Sequence, residues 1–160
     1  MPIQVGDHIP EAVLAYIDNG VHRIDTHTLF GDRKLLLFAV PGAFTPTCSE
    51  RHLPGFVEQF DAFRTRGIEV ACMAVNDPFV MQAWGKSQHV PDGLRMLADG
   101  NADFTRALGL QMDASGYGMG VRCKRFALYA DNGVVQGLWV EAPGEFRVSS
   151  AEHVLAHLPQ

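Results

Sequence analysis

The sequence predicts an α/β domain, in which a central mixed sheet is flanked by helices and preceded by an N-terminal β-hairpin. Three observations carry that prediction. Short continuous apolar runs alternate along the chain with stretches of helical periodicity, the pattern of strands that must be covered by helices. Two Asp-Asn-Gly turns, at 18–20 and 131–133, each separate two runs with the spacing of a hairpin. With 47% hydrophobic and 19% charged residues and no linker, repeat or low-complexity stretch, the 160 residues suffice for one core, so 1–160 reads as a single domain.

Each element has its own warrant. Residues 12–17 and 21–24 flank Asp18-Asn19-Gly20 and form the first hairpin. The run Leu35-Leu36-Leu37-Phe38-Ala39-Val40 is apolar throughout, as a strand covered on both faces would be, and Pro41-Gly42 stops it. Thr47 and Glu50 have the spacing of a capping box, which places Cys48 at the first helical position. Leu53, Phe56, Val57, Phe60 and Phe63 then fall on one stripe of an amphipathic helix. A second strand-helix unit spans 68–84, followed by a short strand at 94–97 and a short helix at 102–108. Residues 126–130 and 134–140 make a second hairpin around Asn132-Gly133, and 150–158 closes the chain as a helix.

Cys48 is the residue on which chemistry converges. At a helix start, free N–H groups and the positive end of the dipole favour an anion, and so favour a thiolate over a thiol. For a typical cysteine, full ionisation at neutral pH raises the nucleophile concentration only some thirty-fold, about 2 kcal/mol. Any larger acceleration must come from donors that hold the substrate and the charge developing in the transition state. The Thr45 hydroxyl, one short loop before Cys48, is one such group.

Pro41, Thr45 and Cys48 fit the pattern P-x-x-x-T-x-x-C, and this segment resembles the signature of the peroxiredoxins. The flanking residues through His52-Leu53-Pro54-Gly55-Phe56 are similar to the type II subfamily, also called the fifth or atypical two-cysteine subfamily, as are 75–85 and Lys124-Arg125-Phe126-Ala127-Leu128. The resemblance implies a thioredoxin fold and a thiol-dependent peroxidase: Cys48 would reduce hydrogen peroxide or an alkyl hydroperoxide and become a sulfenic acid. It also implies that Thr45 binds the peroxide, that Pro41 shields the pocket from water, and that Arg125 polarises the peroxide and stabilises the thiolate. Arg122 is a weaker candidate for support behind them. No cofactor and no metal are implied. A homodimer is.

The remaining cysteines bear on how the enzyme is reset. Cys72 lies in the apolar stretch 69–75 and reads as a small core hydrophobe. Subfamily members that form an internal disulfide carry the second cysteine in the loop before the last helix, where this chain has Phe146-Arg147-Val148-Ser149-Ser150. The departure implies a one-cysteine cycle in which an external thiol, from glutathione, glutaredoxin or thioredoxin, attacks the sulfenic acid. Cys123 is the alternative: in an extended 122–125 segment it would face the same side as Arg125 and serve as a resolving or glutathionylated residue.

Competing classes are weaker. A formal charge of -5 offers no basic patch for nucleic acid, and neither a signal sequence nor a run long enough to span a bilayer is present, so the expected location is the cytoplasm. The odd count of three cysteines suits a reducing compartment rather than a disulfide scaffold. His153 and His157 read as a solvent-facing pair rather than metal ligands. A Cys48–His52 hydrolase pair fits poorly, because His52 would stack one turn behind the sulfur. A thiol-disulfide oxidoreductase would need a Cys-x-x-Cys where the chain has Thr-x-x-Cys. A peroxide sensor or holdase using Cys48 as a switch would show exposed aromatic residues, for which Phe44, Phe79 and Trp84 are the candidates.

Overall fold

Strand β3 (Lys34–Ala39) illustrates how the sequence builds the molecule, because its apolar side chains are divided between two cores. Leu36, Phe38 and Val40 enter one cluster, and Leu35, Leu37 and Ala39 enter the other. β4 (Ile68–Ala74) divides in the same way, Cys72 and Ala74 against Ala71 and Met73. A strand buried on both faces has no polar face to alternate with, which explains the continuous apolar runs. The computed structural model, which describes residues 2–159, arranges these strands in a seven-stranded sheet of order β2 (Val21–Asp25), β1 (Val13–Ile17), β5 (Arg95–Ala98), β4, β3, β8 (Phe126–Asp131), β9 (Val134–Val140).

β3, β4 and β5 (Arg95–Ala98) run parallel to one another. The hairpins attach antiparallel on either side: β1 (Val13–Ile17) with β2 (Val21–Asp25), and β8 (Phe126–Asp131) with β9 (Val134–Val140). In the second turn Asn132 and Gly133 take positive φ angles of 48° and 78°, the mirror-image turn that matches strand twist. Both expected hairpins are therefore present. Between sheet and turns lie α1 (Thr26–Phe30) and α5 (Asp103–Leu108), whose Leu29, Phe30, Phe104 and Leu108 cover one face. α2 (Leu53–Glu58), α3 (Phe60–Thr65), α4 (Pro78–Ser87) and α6 (Ala151–His157) cover the other with Phe56, Phe63, Trp84 and Val154. The result is a thioredoxin fold with an extra N-terminal hairpin.

Three short elements, one helix and two strands, escaped the sequence patterns. α1 has only five residues and is held by the Asp25 carboxylate, which accepts from the Thr28 N–H at 2.7 Å. β6 (Gln111–Asp113) and β7 (Val121–Cys123) form a separate two-stranded ribbon, three residues each, too short for alternation to be legible.

The expected helix after Cys48 is corrected in three ways. Pro46 and Thr47 are already helical, so the helix begins earlier, and Thr47 makes no side-chain cap. Cys48 to His52 form a π turn in which the Leu53 N–H reaches back to the Cys48 carbonyl. Pro54 follows at once. Its ring lacks an N–H and crowds the carbonyl four residues earlier, which the wider turn relieves. The single amphipathic helix is also broken at Gln59, where φ and ψ leave the helical region at -95° and 8°, although the apolar stripe continues across the break.

Candidate active site

The site starts where β3 ends. The Val40 N–H donates to the Met73 carbonyl at 3.0 Å, which keeps the chain in the sheet to its last residue before Pro41 turns it away. The loop that follows is fastened from both sides. The Ala43 N–H donates to Asn76 Oδ1 at 2.9 Å, from the loop after β4. Arg122 donates through Nη1 to the Pro41 carbonyl at 3.3 Å and through Nε to the Met119 carbonyl at 2.8 Å. Gly42 is closely approached here: a Cβ on it would sit 3.0 Å from Met119 Cε and 3.1 Å from Arg122 Nη1, so the ends of both side chains would have to shift. Phe44 takes a φ of 64°, a left-handed conformation that costs about 1 kcal/mol or more for a bulky residue and persists only because the surroundings enforce it.

Thr45 links loop to helix. Its carbonyl accepts from the Ser49 N–H at 2.9 Å, the first helical bond, which makes Thr45 the residue just ahead of the helix and leaves the N–H groups of Thr47 and Cys48 without helical partners. Its hydroxyl donates to the Gly42 carbonyl at 2.6 Å. The proton is thus committed, and the oxygen lone pairs remain as acceptors. Ser49 Oγ in turn accepts from Trp84 Nε1–H at 2.9 Å, docking the first turn on α4.

Cys48 lies in the core cluster with Leu53 and Phe56, its residue only 1% exposed. Arg125 meets it there, donating from Nη2 to Cys48 Sγ at 3.1 Å. The sulfur therefore faces a permanent cation whose planar fork aims an N–H at it. The same guanidinium makes a second bond, Nη1 to His52 Nδ1 at 2.9 Å. His52 Nε2 is 3.0 Å from the Ser149 carbonyl, a group that can only accept, so Nε2 carries the ring proton and Nδ1 is the acceptor for Arg125. Burial, reinforced by the Arg125 charge, lowers the His52 pKa to about 3. The ring is neutral in its working state. Phe146 covers the cluster, its ring 5.0 Å from that of His52, with the guanidinium carbons of Arg51 and Arg125 at 4.8 and 5.8 Å from its centroid.

The residues singled out from sequence are therefore distributed unequally. Cys48 and Arg125 are in direct contact, while Pro41 and Thr45 shape the loop beside them. Cys123 is not on the Arg125 side. It packs in the opposite core cluster, fully buried, with Sγ–H donating to the Val40 carbonyl at 3.1 Å. The expected alternation fails because β7 ends at Cys123 and the chain bends at Arg125 before β8 begins. Burial pushes the Cys123 thiol up to about 12, with the charges of Asp99 and Cys48 adding to the effect. Cys72 is likewise buried, and desolvation raises its thiol well above the ordinary range. All three cysteines are free.

Sequence reasoning undervalued His52. Weighed only as a base for Cys48, it turns out to have both ring nitrogens engaged elsewhere, which rules out a Cys–His hydrolase pair. Its placement four residues after Cys48 was the available signal. Of the aromatic residues expected at the surface, Phe44 and Phe79 are 56% and 64% exposed, but Trp84 is fully buried. His153 and His157 stack at 4.0 Å between centroids on α6, apart from this site, and His157 Nδ1 bonds the His153 carbonyl at 2.7 Å. No helix among the described residues is long and apolar enough to cross a membrane.

The chain is similar to known proteins over nearly its whole length. The Redoxin family model matches residues 4–155. Peroxiredoxin-2C of Arabidopsis thaliana is 44% identical over 160 residues, covering 98% of this chain and 99% of its own. The chloroplastic Peroxiredoxin-2E-2 of Oryza sativa subsp. japonica is 49% identical over 163 residues, covering 98% of this chain and 72% of the relative. Among solved structures, reduced Prx3 from Vibrio vulnificus in complex with hydrogen peroxide superposes with a TM-score of 0.94 at 48% identity, covering 98% of this chain and 99% of that one.

Proposed function

Because this chain belongs to the peroxiredoxin family, of type II, and is a thiol peroxidase by that membership, we propose that it runs a one-cysteine cycle on Cys48. The observation that carries the assignment of the nucleophile is the 3.1 Å bond from Arg125 Nη2 to Cys48 Sγ. The thiolate attacks one oxygen of a hydroperoxide, an S–O bond forms as the O–O bond breaks, and the departing oxide takes a proton to leave as water or an alcohol. Sulfur is oxidised by two electrons to a sulfenic acid. Arg125, already aimed at the sulfur, follows the negative charge as it moves towards the peroxide oxygens, so its stabilisation is realised in the transition state. Thr45, with its own proton given to Gly42, accepts from the peroxide O–H and orients the incoming molecule. Pro41 presents no N–H and walls the loop, and Arg122 holds its carbonyl in place.

An external thiol then attacks the sulfenic sulfur, releasing water and leaving a mixed disulfide that a second thiol reduces. Glutathione with glutaredoxin, or thioredoxin, fits this role. The absence of a cysteine at 146–150, and the placement of Cys123 in the opposite core cluster, support an external rather than an internal resolving thiol. The exposed Phe44 beside the loop and Phe79 on α4 suit a second copy of the chain, so the working unit is read as a homodimer. The cytoplasm remains the expected location.

Steady-state peroxide consumption tests the peroxidase cycle and its reductant together. Wild type is expected to turn over with glutathione plus glutaredoxin or with thioredoxin plus its reductase, and Cys48→Ser is expected to have no turnover with either. One stoichiometric oxidation of Cys48 without turnover would instead favour a peroxide sensor or holdase.

A further inference from the structure

The catalytic arginine is held from behind by a chain of groups that ends on a buried carboxylate. Glu141, 6% exposed, directly follows β9, and both its oxygens face the segment 147–149. Oε2 accepts from the N–H groups of Arg147, Val148 and Ser149 at 2.9, 2.8 and 2.7 Å and from the Ser149 hydroxyl at 2.7 Å, while Oε1 accepts from the Arg147 N–H at 2.8 Å. Consecutive amides converging on one anion fix the backbone of this strap far more tightly than a surface loop requires. The strap then uses its remaining group. The Ser149 carbonyl, in a residue with no exposure, holds His52 Nε2, and His52 Nδ1 holds Arg125 Nη1. A second route is shorter: the Glu141 N–H donates to the carbonyl of Arg125 itself at 2.9 Å.

We propose that Glu141 is a positioning residue for the peroxidase reaction, acting through the 147–149 strap and His52 to aim the Arg125 guanidinium at Cys48. This rests on the reading of Cys48 as nucleophile and Arg125 as its partner. The physical requirement is orientation rather than charge. Arg125 is permanently cationic and needs no tuning, but it must present Nη2 to sulfur and Nη1 to His52 at once, and the ring can accept only if its proton stays on Nε2. Ser149 enforces that tautomer, and Ser149 is fixed by Glu141. Replacing Glu141 with glutamine places an amide with two donors where donors already converge, so one end of the strap must move and Ser149 with it. A displacement of about 1 Å in a group aimed at the reacting atoms lowers rates by up to a hundred-fold.

The test is a double-mutant cycle on the rate at which reduced protein consumes hydrogen peroxide, followed as loss of the Cys48 thiol by quenched alkylation and mass spectrometry. The proteins compared are wild type, Glu141→Gln, Arg125→Ala and the double variant. If Glu141 works through Arg125, Glu141→Gln is slower by about ten-fold in the wild-type background and by less than about two-fold once Arg125 is gone. Equal losses in both backgrounds would overturn the proposal, because a general structural defect does not depend on Arg125. A 15N spectrum of the His52 ring gives the second reading: Glu141→Gln is expected to mix the two tautomers, and an unchanged Nε2–H tautomer would count against the mechanism. Should Glu141→Gln fail to fold by far-UV circular dichroism, Ser149→Ala replaces it in the same cycle. Its expected slowing is about three-fold with Arg125 present and none without, and equal effects would again overturn it. A wild-type protein whose Cys48 does not react with peroxide would refute the peroxidase reading instead.

Discussion

Cys48 and Cys123 lie on opposite sides of the same strand end, both almost without exposure, and differ in the group each sulfur meets. Cys48 accepts from a guanidinium, whereas Cys123 donates to the Val40 carbonyl. The Val40 carbonyl can only accept, so it uses the Cys123 S–H as a donor; the Arg125 guanidinium offers only donors and a fixed positive charge. Burial pushes Cys123 up to about 12 and Cys72 up as well, so desolvation by itself makes cysteines inert. Position in the core does not distinguish the proposed nucleophile. Its hydrogen-bond partner does.

The largest effect on that distinction should come from Arg125→Ala. Removing the donor leaves Cys48 in an apolar setting like that of Cys72, and the rate constant with peroxide is expected to fall by roughly 10² to 10³, the usual loss for one transition-state donor. Arg125→Lys should lose nearly as much, because one ammonium cannot span both Cys48 Sγ and His52 Nδ1 in the geometry of the planar fork. Stopped-flow oxidation of the reduced variants measures both. A loss below about five-fold in Arg125→Ala would mean that the guanidinium is not what separates the two thiols.

How legible this was depends on the range of the interactions. The hairpins at Asn19-Gly20 and Asn132-Gly133 and the runs of β3 and β4 follow from local turn chemistry and burial, and could be read directly. Cys48, Thr45 and Pro41 share one loop, so their neighbourhood was also local. Arg125 came from the family resemblance alone, since contact across 77 residues leaves no mark in periodicity. Glu141, Ser149 and His52 were missed as a group for the same reason: their bonds join the end of β9, a strap and a π turn, and no spacing encodes that meeting. The capping box failed because Pro46 starts the helix before Thr47, with the Thr45 carbonyl taking the first bond.

His52 extends the comparison to pH. Its folded pKa of about 3 lies below the ordinary value near 6.5, so between these values the unfolded chain binds a proton that the folded chain excludes. Stability from this group is fully present above pH 6.5 and is lost as pH falls, by about 1 kcal/mol per pH unit once below 6. Urea denaturation at pH 7, 6, 5 and 4 should show that slope in wild type, with a shallower one in His52→Gln, which keeps an acceptor and a donor without titrating. Parallel slopes would mean that other groups govern the acid limb.

The smallest effect is expected at Cys123, and its smallness is what makes it informative. Cys123→Ala removes a weak S–H donor and leaves the buried Val40 carbonyl unpaired beside a small void, a cost of about 1 kcal/mol or a melting temperature lower by about 3 °C. Cys123→Ser keeps a donor at that position and should recover part of the loss. Peroxide turnover with an external thiol should stay within about two-fold of wild type in both variants, because neither change touches Cys48, Arg125 or the loop at Thr45. Peptide mass spectrometry after one equivalent of peroxide is expected to show oxidation at Cys48 and an unmodified Cys123. A Cys48–Cys123 disulfide, or turnover collapsing in Cys123→Ser, would require the two clusters on either face of β3 to exchange contacts during the cycle. The contrast between a thiol that reacts and a thiol that only packs would then describe one stage of catalysis rather than the resting protein.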